Sequence, residues 1–438
     1  MGGKNKQRTK GNVRPSSSAR AAELLARDVG SVPGFLGFGG ATSDLGFMPA
    51  VQGAEDVENV VDPDFRLVLR KLSKRDTTTK LKAMQEFGAM CKEKDVDVVK
   101  AILPYWPRLY NKISTDLDRR VREAAQVAMQ QLASRVRRAL APHLKAVMGT
   151  WLVAQCDGHA PAASAARAAF SAAFPPAKQP EALAFCKDEI LSHLQDNLFK
   201  LTPDTLSDPQ VSTDEKEARH IRVVTSSLLA FKRLLSLLPP GERAALSDRL
   251  SALLAQPKLW KYSKHSAPQV RAALYEALSA LCRAEPGLAR GEARRLCPTV
   301  LLALDEADPV ACAPLWEAAL LAASTVEDCW THVSARKGVL PRLWAVLREG
   351  GRGLAAVVHP HLLPLLGFMP PAVTGPRALF YPVLFCSLRQ GLGSDTVQSS
   401  PSERAAIVRA FTDCFRLAVH ESVSDALRKA LLHEQVCP

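Results

Sequence analysis

DRRVREAAQVAMQQL, residues 118–132, opens on a turn-forming acid, places Val121 three positions later and then sets alanines and larger apolar residues three and four apart. That spacing puts them along one face of a helix, and small residues on the face let a second helix approach closely. The same order recurs in SAPQVRAALYEALSAL (266–281) and ADPVACAPLWEAALLA (307–322), and more weakly in HAPAASAARAAFSAAF (159–174). Val270 and Val310 are 40 residues apart, and Val121 and Ala163 are 42 apart. Each block follows a helix that begins near a proline, as in LPYWPRLYNKIS, APHLKAVMGTWL and CPTVLLALDE. A helix pair repeating at this interval buries its apolar face only against its neighbours, so the pattern implies stacked pairs rather than one central core.

The Val-Arg pairs Val121-Arg122 and Val270-Arg271 resemble the HEAT consensus. Val121 and Val270 are expected to plug the gap to the next repeat. Arg122 and Arg271 are expected to pair with an acid of the neighbouring repeat in a structural ladder, the alternative being direct contact with a ligand. Runs such as FRLVLRKLSK, IRVVTSSLLAFKRLLSLLP and GERAALSDRLSALLAQ carry the same helical spacing and strand signals are scarce. The fold class is therefore all-α, a HEAT/ARM-like helical-repeat solenoid with a disordered basic N-terminal arm. Composition divides the chain into an arm (1–60), N-terminal repeats (61–202), an acidic linker (203–217), further repeats (218–388), a second linker (389–403) and a C-terminal helical segment (404–438).

Of 438 residues 47% are hydrophobic and 23% charged, as in folded protein, and the net charge is +13. Six of those charges, Lys4, Lys6, Arg8, Lys10, Arg14 and Arg20, lie in MGGKNKQRTKGNVRPSSSAR, which contains no acid and no aromatic residue. Such a tail suits sequence-independent contact with phosphate, and its six cations are candidate RNA-binding residues; the bland reading is a solvated end. It lacks the apolar stretch of a secretory signal, and Lys6 stands where myristoylation needs a hydroxyl residue. The ten cysteines are at least fifteen residues apart, so no tight turn supplies two zinc ligands, and they read as small buried hydrophobes of a reducing compartment. HPH at 359–361 turns its rings to different sides of a helix and has no third ligand in view, so no metal is assigned. The basic run VLRKLSKRDTTTKLK (68–82) is a solvated helix face or a second contact surface. No catalytic residue is assigned, because no nucleophile, base and acid fall into a recognisable arrangement.

MGGKNKQRTKGNVRPSSSARAAELLA (1–26), GFLGF (34–38), QGAEDVENVVDPDFRLVLRKLSKRD (52–76), TKLKAMQEFG (79–88), LPYWPRLY (103–110), AAFPPAKQPEALAFCKDEI (172–190) and REGGRGLA (348–355) resemble the N-terminal region of the listerin family, RING-type ubiquitin ligases. The resemblance covers most of residues 1 to 370 and is strongest in the first 200. It implies a HEAT-like solenoid that binds the 60S ribosomal subunit carrying a stalled nascent chain, so that the chain is ubiquitinated for degradation in ribosome-associated quality control. It also implies the nuclear export mediator factor as a partner of the N-terminal part, and a distant C-terminal RING that binds zinc and recruits a ubiquitin-conjugating enzyme. No Cys/His cluster of that kind occurs before Pro438, so the chain reads as a fragment or short form without ligase residues or a cofactor of its own. A monomer in the cytosol, away from membranes, is expected. A generic HEAT adaptor or transport receptor is the alternative, although it needs no basic glycine-rich arm.

Overall fold

The computed structural model describes residues 62–72, 74–421, 429 and 433; the expected arm, with Lys4 to Arg20, lies outside them. The described residues form helices joined by turns, with no β-strand among them. The longer helices are α1 (Pro63–Leu72), α2 (Thr77–Glu93), α3 (Trp106–Ser114), α4 (Arg119–Val136), α5 (Leu144–Ala154), α6 (Ala160–Ala173), α7 (Lys187–Gln195) and α8 (Thr213–Leu237). They continue with α9 (Ser247–Leu254), α10 (Pro268–Ala284), α11 (Ala293–Leu301), α12 (Pro309–Thr325), α13 (Leu340–Arg348), α14 (Arg377–Leu392) and α15 (Pro401–Glu421).

Helix starts follow capping chemistry. Asp76, Asp118 and Asp308 each accept a backbone N–H from the first turn of α2, α4 and α12, and Pro268 and Pro309 lie within the first turn of α10 and α12. Packing is between neighbours: α2 lies on α4 and α4 on α6, while α8 lies on α10 and α10 on α12. α8 also meets α5 and α7, which join the two runs, and α13, α14 and α15 pack in sequence at the end. The four recurrent blocks of sequence are α4, α6, α10 and α12. Their alanines do the expected work: Ala125, Ala128, Ala166, Ala273 and Ala319 are buried at the crossings, and Val121 and Val270 are fully buried. The first crossing is filled by rings. Phe87 stacks on Trp106 at 4.8 Å and Trp106 on Tyr110 at 5.5 Å, and the Tyr110 hydroxyl donates to Gln126 Oε1 at 2.6 Å.

Two expected linkers are helical. Within 203–217 a capping box at Thr202 starts the helix Pro203–Leu206, and α8 begins at Thr213 with Ser212 accepting the Glu215 N–H at 3.3 Å. Of the acids that suggested a linker, Asp204, Asp214 and Glu215 occupy first turns, where they complement the positive helix end. Within 389–403, α14 runs to Leu392, a short helix spans Asp395–Gln398 and α15 starts at Pro401. Gly391 has a packing cause: a Cβ there would stand 2.2 Å from the Leu347 carbonyl oxygen, so only glycine lets the end of α13 pass so near.

Candidate functional site

At two places, before α4 and before α10, an arginine ties the turn that precedes its helix to the turn that precedes the next. Arg122, on the first turn of α4, grips Asp157 with Nε at 2.6 Å and Nη2 at 3.0 Å, while its Nη1 donates to the carbonyls of Asp116 and Leu117 at 3.0 and 3.1 Å. Asp157 also accepts the His159 N–H at 2.7 Å, at the entry to α6. Arg271 repeats the arrangement: Nε and Nη2 meet Glu306 at 2.7 and 2.9 Å, Nη1 donates to His265 and Ser266, and Glu306 accepts the Ala307 and Asp308 N–H groups before α12. Both forks span 35 residues of sequence, and both satisfy carbonyls five and six residues before the arginine. The pairs are withdrawn from water: Arg122 and Asp157 side chains are 5% and 8% exposed. Burial pulls the Glu306 carboxyl upward, but the Arg271 fork and the two amides outweigh it and hold the group below its usual range.

Basic residues of the 68–82 run enter similar ties. Lys71 meets Glu86, Arg75 meets Asp208 and Lys80 meets Asp116, at 2.8, 2.9 and 2.5 Å. Three arginines were not legible as partners in advance. Arg219 and Arg222 of α8 reach back to the 115–117 turn, and Arg243 binds Glu285 at 2.7 Å and the Leu238 carbonyl at 2.6 Å, fastening the C-terminal ends of α8 and α10.

The two histidines of HPH turn inward to their own helix, with Nδ1 of His359 3.1 Å from the Ala355 carbonyl and Nδ1 of His361 2.7 Å from that of Val357. Among the described residues no group of three His, Cys, Asp or Glu is placed to hold a metal. His359 is 1% exposed, its Nε2 has no partner, and burial pulls its pKa from 6.5 down to about 4. Native His359 therefore stays neutral where the unfolded chain takes up a proton, so its contribution is complete above pH 6.5 and is lost as pH falls toward 4, amounting to about 3 kcal/mol at the acid end. His359→Gln keeps a donor for the Ala355 carbonyl and does not titrate, so denaturant titrations of this variant should show a shallower loss of stability across that window.

The cysteines are mostly interior: Cys91, Cys186, Cys282, Cys297, Cys312, Cys329 and Cys414 are buried, and burial pushes the Cys91 thiol up to about 12. No helix among the described residues is long and apolar enough to cross a membrane.

The sequence pattern of the N-terminal domain of E3 ubiquitin-protein ligase listerin matches residues 60–369. The chain belongs to the listerin family. It is 58% identical over its whole length to E3 ubiquitin-protein ligase listerin of Gallus gallus and 57% identical to that of Mus musculus, in each case across 25% of the relative. The listerin of Drosophila melanogaster is 34% identical over 84% of the chain and 22% of its own length. The chain thus spans about a quarter of the length of these listerins, and the span matched to the family's N-terminal domain contains both arginine forks.

Proposed function

We propose that this chain is the ribosome-docking part of a listerin-type ubiquitin ligase, acting in ribosome-associated quality control in the cytosol. In this reading it binds the 60S subunit that carries a stalled nascent chain, beside the nuclear export mediator factor, so that the nascent chain is ubiquitinated for degradation. Family membership carries the reading, and its support from this chain is the division of labour between parts. Helix pairs fixed to each other by buried arginine forks offer a stiff surface, and the six cations of the first twenty residues offer phosphate contacts that need no base sequence. No transfer step is assigned to the described residues, which offer no zinc-ligand group; recruitment of a ubiquitin-conjugating enzyme belongs to the zinc-binding RING of the family.

Sedimentation of the chain with purified large subunits tests the proposal. If five or six phosphates are neutralised, the affinity should fall with salt at a log–log slope of about −4, as for single-stranded or irregular RNA. Removing residues 1–20 should weaken binding and flatten that slope. No co-sedimentation at low salt overturns the docking reading, whereas binding with the same affinity and slope after the deletion removes the arm from it.

A further inference from the structure

We propose that Arg219 and Arg222 form a binding site for a phosphate monoester where α8 crosses the 115–117 turn. Four cations and two carboxylates meet there. Lys80 already holds Asp116 at 2.5 Å and Arg122 already holds Asp157, leaving Arg219 and Arg222 with no carboxylate at ion-pair distance among the described residues. Arg219 Nη2 donates to the Thr115 hydroxyl at 2.8 Å, and Arg222 Nη2 donates to the carbonyls of Asp116 and Thr115 at 2.9 and 3.3 Å. These bonds aim the two guanidinium groups without neutralising them.

The two arginines are three residues apart on α8 and so share one face of the helix. Both are half-buried, which leaves an approach from solvent, and Nη1 of each makes no hydrogen bond among the described residues. Arg219 Nε is buried without an acceptor among the described residues. Burial, and after it the charge of Arg122, pulls Arg222 down to about 10; burial likewise lowers Arg219. Counting Lys80, Arg122, Arg219 and Arg222 against Asp116 and Asp157 leaves two positive charges. A dianionic monoester balances them, whereas a carboxylate or a nucleic-acid diester, with one charge each, leaves the cluster positive. Planar guanidinium forks also match phosphate oxygens in pairs. The site is independent of the basic arm and of the docking reading.

Calorimetric titration of the full chain at constant ionic strength provides the test, with inorganic phosphate, a phosphoserine peptide, its unphosphorylated form and single-stranded RNA as probes. Phosphate or the phosphopeptide should bind, and the unphosphorylated peptide should not; phosphate alone marks a free ion as the source, and tighter binding of the phosphopeptide marks a modified protein. Losing one charge-assisted contact in Arg219→Gln should weaken the interaction about tenfold or more. Arg219 gives up a single bond to Thr115, so this variant keeps the test valid if Arg222→Gln, which also frees the turn carbonyls, fails to fold. Unchanged phosphate affinity in Arg219→Gln, or RNA binding at these arginines without any phosphate binding, overturns the proposal.

Discussion

Replacing Arg122 with alanine should lower the stability of the N-terminal repeats by about 3–5 kcal/mol, the cost of breaking a buried ion pair and leaving one charge behind. The stranded group is Asp157, 8% exposed, and the carbonyls of Asp116 and Leu117 lose a donor as well. Arg120, two residues earlier, provides the control. It also faces an aspartate, Asp118, but its side chain is 62% exposed, so Arg120→Ala should change stability by less than about 1 kcal/mol. Chemical denaturation followed by helix signal reads both variants. A cycle with Asp157→Asn should give a coupling energy above about 0.5 kcal/mol, because the two side chains are in direct contact. Equal, small losses for Arg122→Ala and Arg120→Ala would show that the fork contributes nothing beyond a surface pair.

Trp106→Ala should cost a similar about 3–5 kcal/mol through loss of buried surface and the cavity left behind. The indole is 1% exposed, lies between Phe87 and Tyr110, and donates its N–H to Met129 Sδ at 3.0 Å, so removing it empties the crossing of α2, α3 and α4 at once. Stacked repeats respond locally, so amide exchange should rise first within residues 77–136 while α10 and α12 stay protected. Leu379→Ala is the contrast: that side chain is 67% exposed, and its loss should stay within about 0.5 kcal/mol. A uniform rise in exchange along the chain would contradict stabilisation by neighbours.

What could be read in advance were the features whose cause is local. Val121, Arg122, Val270 and Arg271 announce themselves because a valine that must plug a crossing and an arginine that must reach back five and six residues are fixed by the helix on which they sit. The acids that complete the forks, Asp157 and Glu306, lie 35 residues after their arginines, an interval that the 40- to 42-residue repeat does not mark. Arg219 and Arg222 were hidden because the turn they clasp is more than a hundred residues away, and nothing near HIRVV marks it. The linkers misled for a different reason. Ser, Thr, Asp and Gly favour loops, but they equally favour helix starts and tight helix crossings, and Ser212, Asp214 and Gly391 serve the latter purposes. The candidate contacts on the N-terminal arm remain a matter of sequence, since the described residues begin at Asp62.

The two forks also differ from the packing around them in what kinds of motion they resist. Apolar ridges in grooves oppose separation of two helices yet allow them to slide and turn slightly, whereas a two-point bond between planar groups opposes torsion. Where Arg122 clamps Asp157, and again where Arg271 clamps Glu306, one helix pair is prevented from rotating on the next. By contrast, Arg219 and Arg222 hold a hydroxyl and two carbonyls of the 115–117 turn by single bonds, a contact that opposes torsion less than a two-point fork does.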